Sequence, residues 1–435
     1  MNRGTGRRFH GSVGASAAVC IGGVRCLDGM TWREARGDGK RFFRCAASAQ
    51  AVGGAKLRTM DEDLTSYRNL FPITRESHYL NHAAVSPTST RVRDTAQDWL
   101  SDLVHHGMAN IVDWIRRERE TRASAARILG ACVDEIAFIR STSHGLSTFA
   151  EGIDWKPGDE VAVCTALEFP ANVYPWMHLE SRGVVVRPID ETEGGVVAEA
   201  VAKALGPRTR VVSVSSVEFA TGVATDLEAI GALCRERGVL LCVDGIQSVG
   251  AFPIDVKRAH IDFLAADSHK WQLGLPGIGI AYVRRELAPS LRPPVVGWKS
   301  VKNPLDFDHL HFELREDAAR LEEGTQSFAT ILGMGAALAL LEEVGVARIA
   351  SHIQSWLDEA ASELAARGLD PGPLPSMRKG ILTFRPPFGS ADDFVQRAAK
   401  AGVVLSARRA RVRVSPHFYN GEPELAALLN LVRGG

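Results

Sequence analysis

The sequence predicts an α/β protein built on a mostly parallel sheet buried on both faces, and three observations carry this. From about residue 160 to 283, short apolar runs alternate with amphipathic stretches of helix length, the order expected of βαβ units. The runs are apolar throughout, as strands covered on both faces must be. Polar and titratable residues stand just past their carboxyl ends, where open α/β sheets bind ligands.

The chain has 435 residues, enough for two to three domains and a large core. Hydrophobic residues make up 45% and charged residues 23%, ordinary values for a globular protein. The formal net charge is zero, so no global attraction to nucleic acid or a membrane surface is expected. No apolar run approaches the roughly 18 residues of a membrane span. The seven cysteines (20, 26, 45, 132, 164, 234 and 242) have neither metal-finger nor disulfide-framework spacing. Reduced thiols in a cytoplasmic compartment are the expectation.

Residues 1–58 are rich in Arg, Gly, Ala and Ser, poor in acids and without sustained periodicity. They read as a disordered extension, an organelle transit peptide (mitochondrial or plastid), or a start upstream of the true one at Met60. The fold argument therefore begins after them. Residues 61–78 form a polar lead-in with a short helix. His78 and His82 have the i, i+4 spacing of a helical zinc motif, but no Glu follows the first. Ser86-Pro87-Thr88-Ser89 then signals a helix start instead. Helices follow at 89–106 and 112–129, with Gly130 as C-cap. A strand at 135–140 runs through Ser141-Thr142-Ser143 into a helix at 146–153. That arrangement either binds phosphate at free N–H groups and hydroxyls or simply caps the helix.

Further strands are expected at 160–164, 184–189, 210–215, 239–243, 261–266 and 278–283. Helices are expected at 171–181, 195–204, 226–237 and 254–259. The later part should hold helices at 327–344, 346–367, 391–400 and 422–432, and strands at 380–384, 402–406 and 411–415. At the strand ends stand Ser141, Thr142 and Ser143, then Glu168 and Phe169, then Ser215 and Ser216, then Asp244 and Gln247, then Ser268, His269 and Lys270. A lysine ending a buried strand is costly as a bare ammonium. It either snorkels to solvent or is used covalently, as in an imine with an aldehyde cofactor. The hydroxyl cluster and the carboxylate at neighbouring strand ends favour a site.

These residues carry a resemblance to a known family. The blocks are Tyr79-Leu80-Asn81-His82-Ala83-Ala84, Arg140-Ser141-Thr142-Ser143, Glu168-Phe169-Pro170-Ala171-Asn172, Val243-Asp244-Gly245-Ile246-Gln247-Ser248, Ser268-His269-Lys270-Trp271, Glu323-Gly324-Thr325 and Arg413-Val414-Ser415-Pro416-His417-Phe418-Tyr419-Asn420. Over residues 78–432 the chain resembles fold-type I pyridoxal-phosphate enzymes, specifically the class V aminotransferase group. That group includes cysteine desulfurases, isopenicillin-N-epimerase-like proteins and kynureninase. The resemblance implies a large cofactor-binding domain over 79–290 with a seven-stranded-type, mainly parallel sheet. It also implies a smaller α+β domain from 61–78 and 291–435.

It further implies roles. Lys270 would hold pyridoxal 5'-phosphate as an internal aldimine and move the Cα proton, while Asp244 would keep the pyridinium nitrogen protonated. Gln247 with Ser216 would hydrogen-bond the phenolic oxygen, and Phe169 would lie on the ring. Thr142, Ser143, Ser268 and His269 would cradle the phosphate, and Thr325 would reach the phosphate in a partner subunit, implying a homodimer with shared active sites. Arg413 would take the α-carboxylate of an amino-acid substrate. Alternation puts Arg409, Arg411 and Arg413 on one strand face, with Arg409 read as solvated. Asn81, His82, Trp298 and Tyr419 are expected to face the pocket.

Two departures bear on the reaction. No cysteine follows Cys242, so the thiol a desulfurase uses to accept sulfur is missing. Phe169 stands where desulfurases carry a stacked histidine, and a phenyl ring moves no protons. His144, where many relatives have Glu, is expected to be exposed. The expected activity is amino-group transfer at the α carbon, ahead of C–S or other β-elimination and of epimerisation. A non-catalytic cofactor-binding protein is the alternative from another class.

Overall fold

The computed structural model describes residues 62–433 and, before them, the segments 32–37 and 40–45. Residues 1–58 and 59–435 are separate units. In the first, Trp32–Gly37 pairs antiparallel with Lys40–Cys45, a hairpin where the sequence reading expects no regular element. The rest of the arginine-rich segment, and the targeting reading placed on it, lies outside the described residues.

The second unit is organised on a seven-stranded sheet. Its strands are β1 (Ile136–Ile139), β2 (Glu160–Val163), β3 (Val185–Pro188), β4 (Thr209–Ser215), β5 (Leu240–Asp244), β6 (Phe263–Asp267) and β7 (Gly279–Val283). Their order is β1-β7-β6-β5-β4-β2-β3. Six strands run parallel, and β7 is antiparallel to both neighbours, β1 and β6. All seven lie within two residues of the expected bounds. Alternate residues go to opposite faces. Phe138, Val212, Val214, Leu241, Val243, Leu264 and Ile280 join one core cluster. Ile139, Val161, Val163, Val211, Phe263, Ala265 and Val283 join the other. Both faces are dry, which explains the unbroken apolar runs.

The helix Thr90–His106 begins at Ser89, whose side chain accepts from Val92 N at 3.4 Å, and Ile111–Leu129 ends at Gly130 with φ 65°. Both caps match the sequence signals. The apolar helix Phe328–Val344 packs on these two helices. No single helix among the described residues is long and apolar enough to cross a membrane. The helix expected at 171–181 is only Tyr174–His178, between two short 3-10 turns, and Pro175 stands in its first turn, where proline is tolerated. The one expected at 254–259 is a series of turns.

The strand expected at 402–406 splits. Val403–Val404 pairs parallel with His78–Tyr79, whereas Ser406–Arg408 (β9) belongs to a three-stranded antiparallel sheet with Leu382–Phe384 (β8) and Arg411–Val414 (β10), ordered β8-β10-β9. The parallel pairing and an Asn81–Ser415 bridge lay residues 78–84 alongside the end of β10.

Candidate active site

β6 ends at Asp267, and a tight turn carries Ser268, His269 and Lys270 past the carboxyl edge of the sheet. Ser268 N donates to Ile278 O (3.0 Å), Gly274 N to Ser268 O (2.9 Å) and Leu273 N to Lys270 O (3.0 Å). Leu273 sits at φ 60°, strain that a site-forming turn tolerates because its surroundings fix it. Lys270 is half-buried, and burial lowers its pKa to about 8, with Asp244 opposing that fall and Arg413 and Arg408 adding to it. Its Nζ lies 5.8 Å from the centroid of the Phe169 ring. That ring is 45% exposed, a free aromatic face beside the amine, and its edge packs on Phe219 at 5.2 Å.

Asp244, one strand over, is buried, and Ile246 N donates to its Oδ1 at 3.0 Å. Burial pushes it up to about 6, against the pull of Lys270. Arg413 on β10 is 1% exposed. Its Nε donates to Ser406 Oγ (3.1 Å) and Nη1 to Phe219 O (2.7 Å), while Nη2 has no partner. Burial, with Arg408 second, lowers it to about 9. Asn81, half-buried, leaves its side-chain oxygen without a partner.

The helix Thr142–Gly152 points its N-terminus at the same edge, capped by Ser141, whose Oγ accepts from His144 N at 3.0 Å. Ser143 is exposed there. Ser268 Oγ and His269 Nδ1 are buried without hydrogen-bond partners, with Asp267 Oδ2 3.6 Å from His269 Nδ1. Gly274 approaches so closely that a Cβ on it would lie 1.8 Å from Ser268 Oγ. Unsatisfied buried donors beside a helix N-terminus fit an anion of phosphate type. A carboxylate on the next strand and a free phenyl face beside the amine fit the rest of pyridoxal phosphate.

Three expectations are corrected. His82 does not face the pocket: it is fully buried, its Nδ1 donating to Ser415 O (2.8 Å) and its Nε2 accepting from the Tyr419 hydroxyl (2.7 Å). Tyr419 is consumed by the same bond. Thr142 offers its N–H to Asp267 Oδ2 (3.2 Å) and takes Asp267 N on its hydroxyl (3.0 Å), which ties the helix to β6 and leaves the Thr142 O–H as a donor for the cradle. The Ser216 hydroxyl donates to Asp244 O (3.1 Å) and lies 2.5 Å from Ser248 Oγ, which leaves it inside the strand-end network.

Gln247 donates one N–H to Ala83 O (3.1 Å) and its oxygen accepts from Trp271 Nε1 (2.8 Å), which keeps one N–H free. Thr325 is exposed. Trp298 packs on Phe307, near Gly324. His144 is half-buried, with Nδ1 3.5 Å from Arg140 N.

Asp267, Arg408 and Glu218 are functional-site neighbours that sequence reasoning passed over. Asp267 is pushed up to about 6 by burial. Glu218 is 1% exposed, neither carboxyl oxygen has a partner, and burial with Glu168 nearby raises its pKa well above the carboxylate range. Asp267 immediately precedes the block already recognised, and a signal for it was there. The other two depend on tertiary neighbours.

Comparison with known proteins gives a consistent picture. The family model "Aminotransferase class-V" matches residues 78–411. An uncharacterized aminotransferase, YcbU, from Bacillus subtilis is 30% identical over 360 residues, 82% of this chain and 94% of its own length. A probable cysteine desulfurase from Methanothermobacter thermautotrophicus is 28% identical, covering 83% and 95% of the two chains. Among solved structures, the cysteine desulfurase CsdA from Escherichia coli superposes with a TM-score of 0.76 at 26% identity. That match covers 85% of this chain and 97% of CsdA.

Proposed function

The chain belongs to the aminotransferase class-V family, and on that premise we propose that it transfers the amino group of an amino acid held by Arg413, with Lys270 as the base at the α carbon. It is a pyridoxal-phosphate-dependent enzyme. When bound, the cofactor supplies an aldehyde carbon and an electron-withdrawing ring. The chain's own residues do the rest. Ser143, Ser268 and His269 would hold the phosphate, Asp244 would keep a proton on the ring nitrogen, and the free N–H of Gln247 would serve the phenolic oxygen. Arg413 turns its unpartnered Nη2 toward the substrate carboxylate. Lys270 Nζ takes the Cα proton, helped by a pKa of about 8 that leaves part of it neutral near pH 7.

The observation that carries this reading is Phe169 beside Lys270. A phenyl ring neither gives nor takes a proton, so the proton leaves and returns on one face. Amino-group transfer needs no more than that, whereas inversion at Cα needs a second base. Among the described residues, sulfur relay through a persulfide finds no thiol at the site. Cys164, Cys234 and Cys242 are buried with raised pKa values, and Cys132 lies at the amino-terminal side of β1. The similarity to probable cysteine desulfurases keeps C–S elimination as the second reading, since one base also serves that reaction.

A homodimer is part of this reading. Val104, Met108 and Val112 are each at least 70% exposed, an apolar strip suited to a partner, and Thr325 is free to cross to the other subunit.

The test is a screen of amino acids scored together for keto acid, for pyruvate with ammonia or sulfide, and for the inverted amino acid. Keto acid retaining the side chain supports transfer; pyruvate with sulfide overturns it in favour of the lyase. Lys270→Ala should abolish both the visible absorbance band of the loaded protein and turnover, and retained turnover would contradict the role of Lys270.

A further inference from the structure

We infer that Arg408 is a second anion-binding residue of the substrate site, so that the preferred substrate is an amino acid whose side chain carries its own carboxylate or similar acid. This rests on the proposed function above and adds the substrate class. β9 and β10 pair with Ser406 opposite Arg413 and Arg408 opposite Arg411. Directly opposed residues share a face, as do residues two apart along a strand, so Ser406, Arg408, Arg411 and Arg413 share one. The Arg413 Nε to Ser406 Oγ bond fixes that face, and Arg413 Nη1 on Phe219 O aims it at the Lys270 site. The opposite face, Val412 and Val414, is core.

The four arginines of this hairpin are used differently. Arg411 is spent on Asp370 (2.9 Å) and Thr383 (3.2 Å). Arg409 turns away to Ala166 O and Leu167 O. Arg413 is expected to take the α-carboxylate. Arg408 is half-buried, bonds only its neighbour's carbonyl, Ala407 O (2.7 Å), and has no carboxylate partner among the described residues. It is close enough to both Arg413 and Lys270 to disfavour their charged forms.

Arg413 and Arg408 face one space with no carboxylate bonded to either, and they repel one another, whereas Lys270 is balanced by Asp244 and Asp267. One carboxylate on Arg413 relieves only part of this. The phosphate does not, because its donors Ser143, Ser268 and His269 lie at the helix N-terminus. A second anion bound to Arg408, spaced from the first by the diagonal of the strand pair, roughly 7–8 Å, completes the balance. Arg408 therefore reads the side chain.

Calorimetric titration at low salt tests this with unreactive probes: succinate and glutarate against propionate. It is run on the chain with and without pyridoxal phosphate, because the arginines belong to the protein in either case. The wild-type protein should bind one of the dicarboxylates at least about tenfold more tightly than propionate. Arg408→Gln should erase that preference, and Arg408→Lys should keep most of it. Equal binding of both probe types by the wild type overturns the inference, as does a preference unchanged in Arg408→Gln. Failure of the loaded protein to show its visible band would sink the proposed function alone, leaving the probe titrations to decide on Arg408.

Discussion

Lys270 is useful because its surroundings make it a weaker acid-holder than a free lysine. With a pKa of about 8, caused first by burial, its neutral fraction grows about tenfold per pH unit below that point and levels off above it. The rate at which the protein takes up pyridoxal phosphate, followed by absorbance, should accordingly climb about tenfold from pH 6 to 7 and flatten beyond pH 9. A flat profile from pH 6 to 9 would show that Lys270 is not the attacking amine.

Glu218 is the opposite case. Its folded pKa is raised by burial and by Glu168, so the stability it contributes is complete below the unfolded value near 4.5 and is lost as pH rises toward the folded one. Glu218→Gln should leave the melting temperature unchanged near pH 4 and raise it by a few degrees at pH 8. Equal shifts at both pH values would mean the carboxyl is not the cause.

At the scale of elements, the turn from Ser268 to Gly274 decides the site. β6 delivers the residues, but Leu273 at positive φ and the absent side chain of Gly274 close the turn and set the Ser268 hydroxyl. Gly274→Ala would drive its Cβ against that hydroxyl and turn it from the phosphate cradle. Affinity for pyridoxal phosphate, measured by titration of the visible band, should fall at least about tenfold while the far-ultraviolet circular dichroism stays that of the wild type. The β9–β10 hairpin is the second deciding element. Its alternation was legible in the sequence as arginines on one face and valines on the other. Which arginine meets the substrate was not, because Asp370, Ala166 and Phe219, far apart in sequence, sort them.

Across the whole molecule, the segments 78–84, 271 and 415–419 are joined by a buried polar network that sequence alone reads as pocket. His82 is bonded to Ser415 O and Tyr419, while His417 Nε2 donates to Trp271 O (3.1 Å) and its Nδ1 accepts from Phe418 N (2.9 Å). Both imidazoles must stay neutral. Burial holds His82 down to about 4 and His417 well below the usual range. A histidine lowered in the folded state contributes stability in full above pH 6.5 and loses it as pH falls toward 4. The wild type should melt several degrees lower at pH 4.5 than at pH 7. In His82→Asn that difference should shrink, at a neutral-pH cost of about 1–3 kcal/mol for the lost bonds. A pH difference unchanged in the variant would assign the acid sensitivity elsewhere.

Local chemistry in the sequence was enough to determine the sheet, its strand bounds and the roster of strand-end groups. Apolar runs, caps at Ser89 and Gly130 and the block around Lys270 act over a few residues, so neighbours in sequence decide them. Tertiary structure alone decided what each polar group spends its hydrogen bonds on. It turned His82, Tyr419 and Ser216 inward, left Ser268 Oγ, His269 Nδ1 and Arg413 Nη2 without hydrogen bonds, and exposed Arg408 as an unpaired cation. A donor's availability depends on which distant carbonyl or carboxylate the fold brings within about 3 Å, and no periodicity in the chain encodes that.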